Sequence, residues 1–85
     1  HAGMMEEQMN GALFKLDDTE CPGLARVKVL SKATGAQASA VKAATGFDLY
    51  RIEVVGIVRP STAAMKTGAK PGQKKTVSAK HLVFE

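Results

Sequence analysis

Apolar and polar residues alternate most clearly along residues 24–30 and 48–58. The alternating apolar positions are Ala25, Val27 and Val29 in the first segment and Tyr50, Ile52 and Val54 in the second. Because successive side chains of a strand point to opposite faces, both segments are predicted as half-buried strands. The alternation slips at residues 54–56, and a glycine inside a strand pattern indicates a bulge or a sharp bend.

Shorter segments with strand character lie on either side of this pair. Residues 11–16 place Ala12, Phe14 and Leu16 on one face, which predicts a short strand. Strand propensity resumes at residues 76–78. Residues 79–81 are predicted as a single helical turn, and residues 82–84 as a short closing strand.

Two segments favour short helices. Residues 36–45 are rich in alanine and are followed by Gly46, which suits a helix C-cap, so a helix is predicted near 37–45. A mobile hairpin tip is the alternative there, because Val41 is the only large apolar residue. Residues 4–10 favour a short helix or a frayed terminus that Gly11 would end.

Several short strands with turn signals between them predict a mainly β domain, either a small barrel or a sandwich. The order of the pieces resembles small SH3-like barrels. The resemblance rests on the strand Ala25-Arg26-Val27-Lys28-Val29-Leu30, the bent strand at 49–58 and the terminal turn and strand at 77–84. It covers roughly residues 11–85 without a diagnostic motif and implies a partly open barrel of about five short strands. The superfamily contains peptide binders, nucleic-acid binders and a few enzymes, so it does not decide the function.

The chain has 85 residues, which fits one small domain, predicted over residues 11–85. Residues 1–10 are predicted to combine a tag remnant, His1-Ala2-Gly3, with the N-terminal helix or tail. Cys21 is the only cysteine, which favours a reducing cytoplasm. No apolar run reaches about 18 residues, so the sequence predicts no membrane partner and no spanning helix.

The formal net charge of +4 is unevenly distributed along the chain. Residues 59–75 contain five basic residues and no acidic one, and glycines and prolines interrupt them, so a basic loop is predicted there. Lysine and arginine neutralise phosphates and release condensed counterions, which makes nucleic acid the first partner to consider. The predicted phosphate contacts are Arg51, Arg59, Lys66, Lys70, Lys74 and Lys75; Arg26 and Lys28 extend this surface if their strands are neighbours. The alternative is a solvated loop that only keeps the protein soluble.

A second candidate surface comes from the N-terminal apolar residues. Met5, Met9 and Leu13 follow one another at helical spacing, which indicates a partner-docking or self-association face. A self-associating or adaptor module is therefore the alternative to nucleic-acid binding. The same residues suit a segment that covers the open end of the barrel.

The remaining signals argue against an enzyme. Residues 68–76 have the composition of a phosphate-binding loop, but their spacing fails the Walker pattern. Cys21 and His81 are single residues that nothing in the sequence brings together, so neither a nucleophilic pair nor a metal site is predicted. Tyr50 shares a face with Ile52 and is predicted in the core, although Tyr50 and Phe47 are the available aromatic platforms. The expectation is a non-enzymatic binding module without cofactors.

Overall fold

Residues 12–17 and 22–84 are described in the computed structural model. Their elements, in chain order, are β1 (Leu13–Lys15), β2 (Leu24–Lys32), α1 (Ala36–Thr45), β3 (Leu49–Arg59), α2 (Thr62–Thr67), β4 (Lys74–Ser78), a 3₁₀ turn (Ala79–His81) and β5 (Leu82–Val83). The predicted mainly β fold of short strands is confirmed, as are the terminal turn and strand. The predicted helix near 4–10 lies outside the described residues.

All strand pairs are antiparallel, and they form one sheet in the order β4-β3-β2-β1-β5. The sheet is not closed, as a partly open barrel requires. It is nevertheless curved. In a flat sheet, three strand spacings would separate β4 from β1 by about 14 Å. Yet the Nζ of Lys75 on β4 lies 5.3 Å from the ring centroid of Phe14 on β1.

The core occupies the concave side of this curved sheet. The alternating apolar residues of β1, β2 and β3 are buried there, as the sequence predicts. Val27, Ile52 and Val54 are the largest side chains that are completely buried, and Tyr50 is buried beside them. The prediction that Tyr50 belongs to the core is therefore confirmed. No polar or charged residue is buried among the described residues.

The irregular step in β3 is a β-bulge. Arg26 pairs with Gly56 while its neighbour Val27 pairs with Val54, so Val55 has no partner of its own on β2. The predicted interruption at residues 54–56 is confirmed. Because an extra residue increases the local twist of a strand, this bulge helps the long strand β3 to curve around the core.

The ambiguous segment at 36–45 is a helix, and the alternative of a hairpin tip is wrong. Gly46 adopts the left-handed conformation with φ 81°, and its N–H donates to the Lys42 carbonyl at 2.8 Å. A glycine in this conformation ends a helix without the steric cost of a side chain. None of the residues of α1 is buried. Ion pairs of Asp48 with Lys32 (3.4 Å) and Lys42 (3.6 Å) join α1 to β2 and to the start of β3.

The predicted basic loop at 59–75 is wrong as a single loop. Arg59 is the last residue of β3, residues 62–67 form α2, and β4 begins at Lys74. Helix α2 starts after Ser61 and ends at Gly68, which has φ 70°. Its alanines Ala63 and Ala64 pack against the core, and this packing explains why a short, charged segment becomes ordered.

The start of α2 is fixed by a close approach between Ser61 and Gly23. A Cβ at Gly23 would come within 2.6 Å of Ser61 Cβ and 3.0 Å of Leu16 Cδ1. We expect Gly23→Ala to lower the free energy of unfolding by about 1–3 kcal/mol, measured by urea denaturation, because backbone must move to admit the methyl group. Gly56→Ala is the matched control, since a Cβ there meets nothing within 4 Å. Equal losses in the two variants would contradict this description of the contact.

Candidate anion-binding face

The convex side of the sheet brings basic residues from three adjacent strands together. Lys28 on β2 pairs with Glu53 on β3, and Glu53 pairs with Lys74 on β4. Since neighbouring strands lie about 4.8 Å apart, the Cα atoms of Lys28 and Lys74 are separated by roughly 10 Å. Arg51 is two residues from Glu53 on the same face of β3. These basic side chains are exposed to solvent.

We call this surface the outer face; it consists of Arg26, Lys28, Arg51, Glu53 and Lys74. It carries four positive charges and one negative charge, a net charge of +3. Glu53 lies at its centre, between Lys28 and Lys74. A concentrated field of one sign attracts ligands of the opposite sign, so this face suits an anionic partner.

A row of polar residues crosses the sheet next to the Lys28–Glu53–Lys74 row. Arg51 pairs with Ser31 on β2 and with Thr76 on β4, and all three side chains are exposed. Directly opposite residues of antiparallel strands have Cβ atoms about 4.5–5.5 Å apart. Arg51 therefore has a residue with a hydroxyl-bearing side chain on each side of it in the sheet.

A groove of about 370 Å³ lies between this row and the start of α1. We call it the α1 groove; its lining consists of Ser31, Lys32, Ala33, Thr34, Gln37, Ala38, Leu49, Arg51 and Thr76. The sequence predicts Arg51 as a site residue but none of the other lining residues. Their proximity to one another depends on the path of the chain from β2 through α1 back to the sheet. The only available signal was a cluster of polar residues at the end of β2.

Lys75, one of the predicted phosphate contacts, lies on the opposite face of β4. Adjacent strand residues point in opposite directions, so Lys75 and Lys74 cannot share the outer face. The ammonium of Lys75 lies over the ring of Phe14, a cation–π arrangement, and donates to the Thr67 carbonyl at 3.4 Å. Partial burial lowers the pKa of Lys75, because it penalises the charged ammonium.

Because of this lowered pKa, the free energy of unfolding depends on pH in the alkaline range. Between the folded pKa and the ordinary value of 10.5, the unfolded chain binds more protons at Lys75 than the folded chain does. The contribution of Lys75 to the free energy of unfolding therefore rises with pH across that window. We expect the stability of the wild type to increase relative to Lys75→Met between pH 8 and pH 10.5, as measured by urea denaturation. A difference that stays constant with pH would contradict the assignment.

The other predicted phosphate contacts lie away from the centre of the outer face. Arg59 is eight residues from Arg51 along β3, about 26 Å in an extended strand. Lys66 is exposed on α2, and Lys70 is exposed in the turn before β4. The structure thus brings together Arg51 and Lys74 from the predicted set, and adds Arg26 and Lys28 because β2 and β3 are neighbours.

The predicted apolar docking series does not continue along a helix to Leu13, its last member. Leu13 lies in β1, where it pairs with Val83 on β5, so the helical spacing from Met5 and Met9 does not extend to it. Met5 and Met9 lie outside the described residues. Leu13 is half-buried, whereas Val83 and Phe84 are exposed. We call Leu13, Val83 and Phe84 the β5 patch.

Of Cys21 and His81, the residues considered for catalysis, the described part of the chain contains His81. His81 contacts the edge of Phe14, with ring centroids 6.4 Å apart, and Cys21 lies outside the described residues. No group of three or more potential metal ligands occurs within residues 12–17 and 22–84. In the same ranges, no helix has the length and apolar character needed to cross a bilayer.

No protein-family model matches the chain, and no match was found among curated proteins or solved structures. The geometry of the outer face and of the α1 groove therefore carries the functional proposal.

Proposed function

We propose that the protein is a non-enzymatic module that binds single-stranded nucleic acid through its outer face. The observation that carries the proposal is the register of three strands, which places Lys28, Arg51 and Lys74 on one surface. Phosphate contacts from lysine and arginine dominate the affinity of most nucleic-acid binders. The SH3-like resemblance is compatible with such a role, since that superfamily includes nucleic-acid binders.

Two features favour a single strand over a duplex. Lys28 and Lys74, which pair with Glu53 from either side, span roughly 10 Å, a width suited to one phosphate backbone. Phe47 is 41% exposed in the turn between α1 and β3, where a base of a single strand can stack on its ring. Tyr50, the other aromatic candidate, is buried and offers no stacking surface.

A titration at two salt concentrations tests this function. With about four phosphate contacts, the logarithm of the affinity for a single strand falls with a slope of about −2.8 against the logarithm of salt concentration. Affinity for a labelled oligonucleotide should then drop about 50-fold between about 50 and 200 mM salt, with little dependence on base sequence. Absence of binding at about 50 mM salt contradicts the proposal.

Self-association through the β5 patch is the second candidate function. The observation that favours it is the direct pairing of Leu13 with Val83, beside the exposed ring of Phe84. Exposed apolar residues on adjacent strands gain stability when a partner covers them. Sedimentation equilibrium tests the idea: a monomer at all protein concentrations removes it, and a dimer that Val83→Lys dissociates supports it.

A further inference from the structure

The α1 groove has the chemistry of a phosphate site with room for more than phosphate. Arg51 supplies a planar guanidinium whose paired donors match two phosphate oxygens. Ser31 and Thr76, its neighbours on β2 and β4, supply hydroxyl donors from both sides. All three residues line the groove.

The lining near the start of α1 is neutral and polar, and Lys32, the other basic residue of the lining, is paired with Asp48. Thr34 and Gln37 carry side chains that both donate and accept hydrogen bonds, and Ala38 adds an apolar contact. Of the two acidic residues near this end of the sheet, Glu53 lies in the next row, and Asp48 is engaged with Lys32 and Lys42. No acidic residue lines the groove. This combination suits a ligand with an anionic end and a hydroxyl-bearing body.

The size of the groove limits what it can hold. A volume of about 370 Å³ equals that of roughly 12 water molecules at about 30 Å³ each. That space accommodates a phosphate and one attached sugar. It is also near the lower end of the range for small-molecule sites, about 300–1,000 Å³.

We infer that the α1 groove is a sugar-phosphate subsite, in which Arg51 binds the phosphate between Ser31 and Thr76 while Thr34 and Gln37 contact the sugar oxygens. The inference rests on the proposed function and deepens it. Within a bound strand, this subsite holds one sugar-phosphate unit, and the lysines of the outer face contact the phosphates beyond it. It supplies a defined anchor on a surface that otherwise binds by charge.

Calorimetric titration with ribose 5-phosphate, ribose and inorganic phosphate tests the subsite directly. We expect saturable binding of ribose 5-phosphate, weaker binding of inorganic phosphate and none of ribose. Arg51→Gln should weaken ribose 5-phosphate at least about tenfold, because a charge-assisted bond is lost. Thr76→Val keeps a β-branched residue in β4 and should weaken binding about threefold.

Lys66→Gln is the matched control, since it removes one exposed positive charge from α2 rather than from the groove. Its affinity for ribose 5-phosphate should equal that of the wild type. Circular dichroism of each variant verifies that it is folded. Equal affinities for wild type and Arg51→Gln, or no ribose 5-phosphate binding at millimolar concentrations, would overturn the inference. Inorganic phosphate binding as tightly as ribose 5-phosphate would overturn the role of the sugar.

The same proteins, titrated with a labelled single-stranded oligonucleotide, separate this inference from the proposed function. Oligonucleotide binding without ribose 5-phosphate binding leaves the outer face as a nucleic-acid surface and removes the subsite. Ribose 5-phosphate binding without oligonucleotide binding removes nucleic acid as the partner and leaves the groove as a site for free sugar phosphates.

Discussion

Replacing Ile52 by alanine should remove a substantial share of the free energy of unfolding of this protein. Ile52 is completely buried at the centre of β3, and its deletion leaves a cavity that neighbours fill only partly. The expected loss is about 2–5 kcal/mol. An 85-residue domain has a total stability of only about 4–13 kcal/mol, so this loss is a substantial share.

Thermal denaturation followed by circular dichroism measures this effect. For a domain of this size, each 1 kcal/mol lowers Tm by about 4–8 °C, so a fall of roughly 10 °C or more is expected. Val55→Ala is the matched control on the same strand, because Val55 is 53% exposed and lies at the bulge. Its effect should stay within about 0.5 kcal/mol. Similar losses at the two positions would contradict the assignment of the concave side as the core.

Removing two charges from the outer face should weaken nucleic-acid binding on the order of 50-fold at about 50 mM salt. The double variant Arg51→Gln, Lys74→Gln loses two of about four phosphate contacts, and the salt slope should fall from about −2.8 to about −1.4. Fluorescence anisotropy with a labelled single-stranded RNA at several salt concentrations provides both quantities.

The control for this variant is Lys66→Gln, Lys75→Gln, which removes the same charge from α2 and from the opposite face of β4. Its salt slope should remain close to that of the wild type, because neither residue lies on the outer face. Equal slopes for the two double variants would show that only net charge matters. In that case, the register of the strands has no bearing on binding.

Much of the sheet could be predicted because its signals are local. The alternation along β2 and β3 reflects burial on one face, and the structure places Val27, Ile52 and Val54 in the core as that pattern requires. Gly46 ends α1, and the slip at Val55 is a bulge. Each of these features depends on residues close together in sequence.

The sequence does not predict helix α2, because its six residues span fewer than two turns and show no helical periodicity. Pro60 and Gly68 near its ends favoured a loop instead. Ser61 and Gly68 stand at the cap positions where such residues are preferred, and they were the available signal. The direction of the Lys75 side chain could also be predicted from the sequence, since Lys75 is two residues from the buried Val77 and shares its face of β4.

The composition of the candidate site could not be predicted from single segments. Which residues of β2 and β4 flank Arg51 depends on strand register, and a shift of one residue would move every side chain to the other face. The bulges between β2 and β3 change that register along the strand. Likewise, the placement of Thr34 and Gln37 opposite Arg51 depends on the path of the chain into α1.

Nucleic acid should contact the outer face and no other surface of the protein. Amide chemical-shift mapping of the labelled protein with a short single-stranded RNA at about 50 mM salt tests it most directly. We predict saturable shifts along β2, β3 and β4 around Lys28, Arg51 and Lys74, extending to the start of α1, with α2 unchanged. Shifts centred on the β5 patch or on α2, or no shifts at all, would contradict the claim.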